Sequence, residues 1–259
     1  MEQRELECPK CGAKIDKQDK FCPYCGANLE EFIKALPEPK PYEGKFGLFQ
    51  RLYGVIFSPE ETLRDIALAP DYEGPVIIIA TYSVLLTAFV WLLVQRITFT
   101  GQYASFVSSL MPIIILVVGI VLVLMFAGRW LIKSLLVQKI CDQGSSWSFK
   151  CAAAVTGYGY MAELVLLLVS IVVTWYLFPS TTINLGNFHQ TQEVLENLSQ
   201  RASLVSLANI PITAVRLVWK SLLGGIGTYY GTNGKCSRIM AFGVFLLLSL
   251  IPVLWSFLT

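Results

Sequence analysis

Charge is scarce in most of this sequence. Only 15% of the 259 residues are Asp, Glu, Lys or Arg, whereas a soluble domain has about 25%. The acids are nearly confined to one end, because 14 of the 18 lie in residues 1–73 and 4 lie in residues 74–259. The 20 Lys and Arg split evenly between these parts, 10 and 10. This distribution excludes a single soluble enzyme domain, a disordered chain and a coiled coil, and it predicts a membrane protein with a water-facing head.

Catalytic patterns are also missing. The sequence has one histidine, no glycine-rich phosphate-binding loop that ends in lysine, and no nucleophile pattern of the Gly-x-Ser-x-Gly type. We therefore predict that the protein is not an enzyme. The first residues also lack the apolar core of a signal peptide, so the head is expected to lie in the reducing cytosol.

Four of the seven cysteines form two Cys-x-x-Cys pairs near the start, Cys8 with Cys11 and Cys22 with Cys25. A tight turn brings each pair of thiolates to one ion, and the glycine after each pair permits the positive φ that aims backbone N–H groups at sulfur. Four thiolates make the tetrahedral site that structural zinc prefers. We predict a zinc ribbon over residues 1–28 with structural Zn²⁺. Two disulfides, a redox Cys-x-x-Cys and an iron site are the alternatives.

The composition changes between this head and the apolar body. Residues 29–45 contain three prolines among Glu and Lys, which is typical of an extended linker. Residues 46–68 are predicted to form short helices at the membrane. Their first part either lies in the bilayer interface, with Arg51 reaching the headgroups, or packs on the membrane domain. Ser58 and Glu61 are predicted to form a capping box around Pro59.

Five later segments are long enough to cross a bilayer, which takes about 20 apolar residues. The predicted spans are about 75–94, 110–130, 152–178, 204–229 and 239–258, and the second is predicted to continue as an amphipathic helix through residues 131–140. The loops after spans two and four carry 6 Lys and Arg, and the other two loops carry 2. The positive-inside rule then predicts a cytosolic N-terminus and an outer C-terminus. The predicted fold class is an all-α polytopic membrane protein with five transmembrane helices and a small N-terminal zinc ribbon.

Arg129, at the end of the second predicted span, and Lys133 count with the loop that follows it. Three charges fall well inside the predicted spans: Glu163 in the third, and Arg216 and Lys220 in the fourth. Each needs a partner, because a central charge costs about 2.5–3.5 kcal/mol on insertion scales. Equal depth predicts a pair between Glu163 and Arg216, while Lys220 joins them or reaches the cytosolic interface. We favour an interhelical pin, meaning a buried ion pair that only holds helices together. An ion or substrate pathway is the alternative.

The order of segments in the body resembles a known family. Residues 52–63 read Leu-Tyr-Gly-Val-Ile-Phe-Ser-Pro-Glu-Glu-Thr-Leu and precede a Gly-Pro entry to the first span, and Gly157-Tyr-Gly-Tyr160 lies in the third. With residues 231–241 before the fifth span, this pattern resembles the Yip domain family of Ypt/Rab-interacting membrane proteins over residues 46–258. The proline expected soon after the Gly-Tyr segment is missing. The resemblance implies five spans, a cytosolic N-terminus and an adaptor role, and the zinc ribbon indicates a prokaryotic branch without an assumed GTPase partner.

We therefore predict a non-enzymatic scaffold or adaptor in the cell membrane of a prokaryote. Its ribbon docks an unidentified cytosolic protein, and its body anchors in the lipid bilayer, shapes it or forms homo- or hetero-oligomers. Nucleic-acid binding is disfavoured, because the head is net negative and has no basic patch. The alternative function is a small transporter or channel that uses Glu163, Arg216 and Lys220 as its polar site.

Overall fold

The computed structural model describes residues 6–15, 20–30, 32, 42, 44–142, 147–184, 186 and 188–258. The chain divides into two compact units, Met1–Tyr42 and Glu43–Thr259. The predicted proline linker, residues 29–45, falls largely outside the described residues.

In its described residues, the N-terminal unit contains short β-strands and a small apolar core around Leu29. Strands β1 (Leu6–Glu7) and β2 (Lys14–Ile15) pair in antiparallel fashion, with Leu6 opposite Ile15. Leu29 is fully buried and packs against Cys8 and Cys22. A core this small contributes little hydrophobic stabilisation, so the fold depends on a further source of energy near the cysteines.

The second unit is mostly helical. Its helices are α1 (Leu48–Phe57), α2 (Pro59–Leu68), α3 (Glu73–Val94), α4 (Ala104–Cys141), α5 (Phe149–Gly159), α6 (Met161–Leu177), α7 (Phe188–Gly231) and α8 (Arg238–Leu258). Within the described residues, four helical stretches are long and apolar enough to cross a membrane: α3, α4, α5 with α6, and α7 from Gln192. The chain therefore has the helices of a membrane protein.

The fifth predicted span corresponds to α8, which is 21 residues long. Its part with described side chains, Arg238–Ile251, is apolar but shorter than a span. Four spans are thus supported by length and composition, and the fifth stays a prediction.

The third predicted span is interrupted at Tyr160, between α5 and α6, where the Tyr160 N–H donates to the carbonyl of Gly157 at 3.0 Å.

Two helices extend beyond the predicted spans. Helix α4 runs without a break to Cys141, in agreement with the predicted continuation through residues 131–140, whereas α7 begins at Phe188, 16 residues before the predicted start of span four. The residues at the start of α7 are largely Gln, Glu, Leu, Ala and Ser, and most of these are good helix formers, so the helix continues past the apolar segment. The hydropathy pattern detects the apolar segment and not the ends of the helix.

A small parallel sheet interrupts the helical pattern. Strand β3 (Ile97–Thr100) pairs with β4 (Thr181–Asn184), from Ile97 opposite Thr181 to Thr100 opposite Asn184. The prediction of an all-α body omits this sheet, because each strand has four residues and its partner lies far away in the sequence. The Arg96 guanidinium lies over the Trp175 ring at 3.5 Å and donates to the Trp175 carbonyl, so it joins the two loops.

Helix α1 packs on the rest of this unit along one face. Arg51, Gly54 and Val55 are buried, whereas Phe49, Tyr53 and Phe57 are exposed at four-residue spacing. The structure therefore agrees with a helix packed on the membrane unit. The expectation that Arg51 reaches the headgroups is wrong, since its side chain is turned inward to two carboxylates.

The predicted capping box at Ser58 is not formed. No side-chain hydrogen bond caps α2, although Pro59 occupies its first position as expected. Ser58 alone separates α1 from α2, and its backbone N–H donates to the Gly54 carbonyl at 2.7 Å. The end of α1 therefore sets the conformation of Ser58, and its side chain does not reach the first turn of α2.

Glycines let α5 and α7 approach closely. A Cβ added at Gly227 would lie 2.6 Å from Val155 Cγ1, and one at Gly231 would lie 2.6 Å from Trp147 Nε1. The indole of Trp130 donates to the Ala153 carbonyl at 2.8 Å and attaches α4 to the same bundle. Gly227 and Gly231 thus lie at close contacts of α7, as small residues commonly do between membrane helices.

We expect Gly227→Leu to lower the free energy of unfolding by about 1–3 kcal/mol, because the added side chain would overlap Val155. Gly243→Leu is the matched control, since a Cβ there has no neighbour within 4 Å. Unfolding of both variants in detergent micelles, followed by circular dichroism, measures the difference. Equal stability of the two variants would contradict the proposed close packing.

Candidate metal centre and buried ion pairs

The four cysteines of the ribbon converge on one point. Their sulfur atoms all lie within 4.8 Å of one another. Cys8 Sγ is 3.7 Å from Cys25 Sγ, and Cys11 Sγ is 3.7 Å from Cys22 Sγ. Zn–S bonds of about 2.3 Å in a tetrahedron place the sulfurs about 3.8 Å apart. The spacing of the thiols therefore fits a zinc ion bound by all four.

The two Cys-x-x-Cys turns repeat one backbone pattern. Gly12 N–H donates to the Cys8 carbonyl and Gly26 N–H to the Cys22 carbonyl, both at 2.9 Å. Gly12 has φ 72° and Gly26 has φ 67°, values at which a residue with a Cβ is strained. The glycines thus have the positive φ that the sequence predicts.

Backbone amides favour the thiolate form of Cys8. The pKa of this thiol is lowered to about 7, chiefly because the Lys10 backbone N–H hydrogen-bonds to it. A metal binds the thiolate and not the thiol, so this hydrogen bond assists ligation near neutral pH. Four protein ligands fill a tetrahedron, which leaves no open position for a water or substrate.

Comparison with known proteins agrees with this geometry. The zinc-ribbon domain family matches residues 4–29. The N-terminal unit therefore contains a zinc-ribbon domain whose Cys8, Cys11, Cys22 and Cys25 form a structural zinc site. No curated protein matches the chain. No solved structure matches it either. The resemblance of residues 46–258 to the Yip domain family stays a prediction.

The membrane unit contains a second set of candidate residues. Lys220 on α7 donates to Glu163 Oε1 on α6, and both side chains are buried, with exposed fractions of 2% and 4%. Arg129 Nη2 on α4 lies 3.7 Å from the same carboxylate oxygen. The structure therefore joins three helices through one buried carboxylate.

Arg216 lies outside this set of contacts. Its side chain is half-buried and contacts Thr213 Oγ1 at 3.5 Å, so the predicted Glu163–Arg216 pair is replaced by Glu163–Lys220. Helical side chains lean toward the N-terminus of their own helix. Because α6 and α7 run in opposite directions, Glu163 leans toward the position of Lys220, and Arg216 leans away. Equal depth of the Cα atoms does not account for this lean, and it therefore selects Arg216, one turn away from Lys220.

Two further cations of this region, Arg129 and Lys133, contact other helices, which is not predicted. In the predicted topology both count with the loop after span two, although the predicted continuation of that span makes Lys133 helical; α4 runs through both. Lys133 Nζ donates to Ser249 Oγ on α8 at 2.7 Å and lies 4.8 Å from the centre of the Phe245 ring. Their four-residue spacing within the amphipathic continuation of span two is the feature that places both on one helix face.

A separate buried network holds the helices that precede the first span. Arg51 Nη2 lies 2.8 Å from Asp65 Oδ2, and Arg51 also pairs with Asp71. The Tyr158 hydroxyl on α5 donates to Asp71 at 3.1 Å. Burial alone lowers the pKa of Arg51, but its hydrogen bonds to Asp71 and Asp65 outweigh this effect and raise it. Arg51 thus stays charged and connects α1 and α2 to α5.

Removing the metal should unfold the ribbon alone. The purified chain should hold one zinc per molecule by elemental mass spectrometry, and Cys22→Ser should lose it, because binding of structural zinc supplies about 10–16 kcal/mol of folding free energy. Cys236→Ser, in the membrane unit, should keep the zinc. Helical circular dichroism should be unchanged in Cys22→Ser. Retention of a full zinc equivalent by this variant would contradict the four-cysteine site.

Removing one partner of the Glu163–Lys220 ion pair should lower the free energy of unfolding more than removing both partners. Glu163→Gln should cost about 3 kcal/mol of unfolding free energy, since it leaves buried cations without their carboxylate. Lys220→Met in the same chain should recover part of this loss. Arg216→Leu is the control and should change stability by about 0.5 kcal/mol or less. Denaturant unfolding in micelles measures the cycle, and a double variant less stable than Glu163→Gln would contradict the pin.

Proposed function

We propose that this protein is a non-enzymatic membrane scaffold or adaptor whose cytosolic zinc ribbon docks a protein partner. The observation that carries this proposal is a compact ribbon with a fully ligated metal site and two exposed aromatic side chains, Phe21 at 61% and Tyr24 at 76%. Aromatic residues are enriched among the residues that dominate binding energy at protein interfaces. A closed zinc site supports a binding role rather than catalysis.

The proposed membrane domain has five spans, with α8 as the fifth. Its 21 residues are enough to cross a bilayer of about 30 Å. The basic loops after spans two and four favour a cytosolic N-terminus and an outer C-terminus in the cell membrane of a prokaryote. Thiolates that bind zinc also suit the reducing cytosol.

The proposed relationship to the Yip domain family supports an adaptor role. Helices α1 and α2 precede the first span, as that resemblance implies, and Arg51, Asp65 and Tyr158 attach them to the bundle. In this proposal the body anchors the protein, contributes to oligomers and organises the surrounding membrane. The ribbon recruits the cytosolic partner to that place.

Transport is the second candidate function, because buried charges lie inside membrane-spanning helices. Glu163, Lys220 and Arg216 would form the polar site of a small transporter or channel. The direct pairing of Glu163 with Lys220 favours a structural pin over a pathway, since both side chains already satisfy each other. The scaffold is therefore the preferred proposal.

Partner capture should depend on the folded ribbon and on its exposed aromatics. We expect the amount of each partner recovered with the full chain to fall at least about tenfold in Cys8→Ser/Cys22→Ser and in Phe21→Ser/Tyr24→Ser. The reason is that truncating a dominant interface residue costs about 2 kcal/mol or more. The aromatic variant should keep its zinc, because neither side chain is a ligand. Quantitative mass spectrometry of affinity-purified samples makes the comparison.

The controls distinguish docking from transport. If both variants recover the same partners as the natural sequence, the docking role of the ribbon is wrong. Liposome flux assays of the natural chain, Glu163→Gln and Arg216→Leu test the second candidate. A flux that both substitutions abolish would favour a transporter over a scaffold.

A further inference from the structure

A groove on the surface of the helical unit combines apolar walls with two cations. It lies between α4 and α8 and has a volume of about 420 Å³. This volume is within the range of about 300–1,000 Å³ that is usual for ligand sites. Nine residues line it: Leu124, Met125, Gly128, Arg129, Ile132, Lys133, Leu136, Leu248 and Ile251.

The charges around this groove do not balance. Arg129 and Lys133 lie one turn apart on α4, and the carboxylate beside Arg129 is that of Glu163. Lys220 and Arg129 both pair with Glu163, and none of the ion pairs among the described residues includes Lys133. Lys133 is 5% exposed, so water screens its charge poorly. Buried cations in excess of carboxylates favour an additional anion at this position.

The level of these cations in the membrane suggests the chemical class of that anion. Residues 110–128 contain no charged side chain and rise about 28 Å along α4, which nearly equals the hydrocarbon thickness of about 30 Å. Arg129 and Lys133 follow at once and so lie at the end of the hydrocarbon region. In the proposed topology this is the cytosolic leaflet, where anionic headgroups lie.

The walls of the groove suit an acyl chain. Leu124, Met125, Ile132 and Ile251 are all exposed along it. A Cβ added at Gly128 meets no atom within 4 Å, so the helix surface is open beside Arg129. A free phosphate would use the cations but would leave this apolar surface uncovered. A lipid would use both.

We propose that the groove between α4 and α8 binds one anionic phospholipid, whose headgroup contacts Lys133 and Arg129 and whose acyl chain lies along Leu124, Met125 and Ile251. This site goes beyond the docking role of the ribbon, and it depends on insertion of the helices in a bilayer with the proposed orientation. The lipid supplies the charge that Glu163 does not, and it would connect α4 to α8 at the headgroup level.

Two variants test the two halves of this site. Lys133→Met removes the cation and keeps a side chain of similar length. Gly128→Leu fills the groove while keeping both cations, and it replaces a poor helix former with a good one. Lys139→Met removes an exposed cation from the same helix outside the groove, and Gly243→Leu adds a side chain where there is space. These last two are the matched controls.

The full chain is purified in detergent, stripped of lipid, and titrated with phosphatidylglycerol, with phosphatidylcholine of the same acyl chains, or with inorganic phosphate. Native mass spectrometry counts bound lipids, and the midpoint of thermal unfolding gives an independent readout. We expect phosphatidylglycerol to bind the natural chain and both controls at least about tenfold more tightly than it binds Lys133→Met or Gly128→Leu. Phosphatidylcholine should bind the natural chain about tenfold more weakly than phosphatidylglycerol does.

Three results would overturn the proposal. The first is equal binding of the two lipids by the natural chain. The second is undiminished binding of phosphatidylglycerol by Lys133→Met. The third is a thermal shift from inorganic phosphate as large as that from the lipid and unchanged in Gly128→Leu, which would identify a site for free anions instead. Because the ribbon takes no part in this measurement, failure here leaves the docking proposal standing, and the reverse also holds.

Discussion

The ion pair between Glu163 and Lys220 is the interaction on which the packing of the membrane unit depends. An isolated charge is costly in an apolar interior, so this carboxylate must face a cation in any arrangement of the helices. The pair fixes the register of α6 against α7, and Arg129 adds α4 to it. Once this register is set, Gly227 and Gly231 of α7 lie against Val155 and Trp147, where larger residues do not fit. Charge pairing and close packing therefore select the same arrangement.

The same requirement explains features on either side of the pair. Toward the first span, Arg51 is buried but has two carboxylate partners, Asp65 and Asp71, and this network attaches α1 and α2 firmly. Toward α8, Lys133 contacts a hydroxyl and an aromatic ring but no carboxylate among the described residues. The buried cation is therefore paired with carboxylates in the first region and not in the second. That asymmetry distinguishes a surface that holds helices from a surface suited to an anionic ligand.

A feature of this protein is predictable from the sequence when it depends only on residues that lie close together along the chain. The zinc site is contained in 18 residues, from Cys8 to Cys25, and its chemistry is set by residue type and spacing, so its ligands and glycine turns were predictable. The apolar spans were predictable from composition for a similar reason. The partner of Glu163 was not, because it depends on the direction in which two side chains lean in antiparallel helices. The pairing of β3 with β4 and the inward turn of Arg51 also depend on residues far away in the sequence.

The two units derive their stability from different sources, and this difference bears on how they can act. Among the described residues of the ribbon, Leu29 is the one fully buried apolar side chain, and the fold relies on metal–thiolate bonds, so its surface residues are free to vary without loss of the fold. The membrane unit relies on packing and on paired charges, which constrain most of its interior. Recognition of a soluble partner is therefore more easily built on the ribbon, where Phe21 and Tyr24 contribute little to stability. Recognition of lipid is more easily built on the bundle, where the position of each charge relative to the bilayer is fixed by the helices themselves.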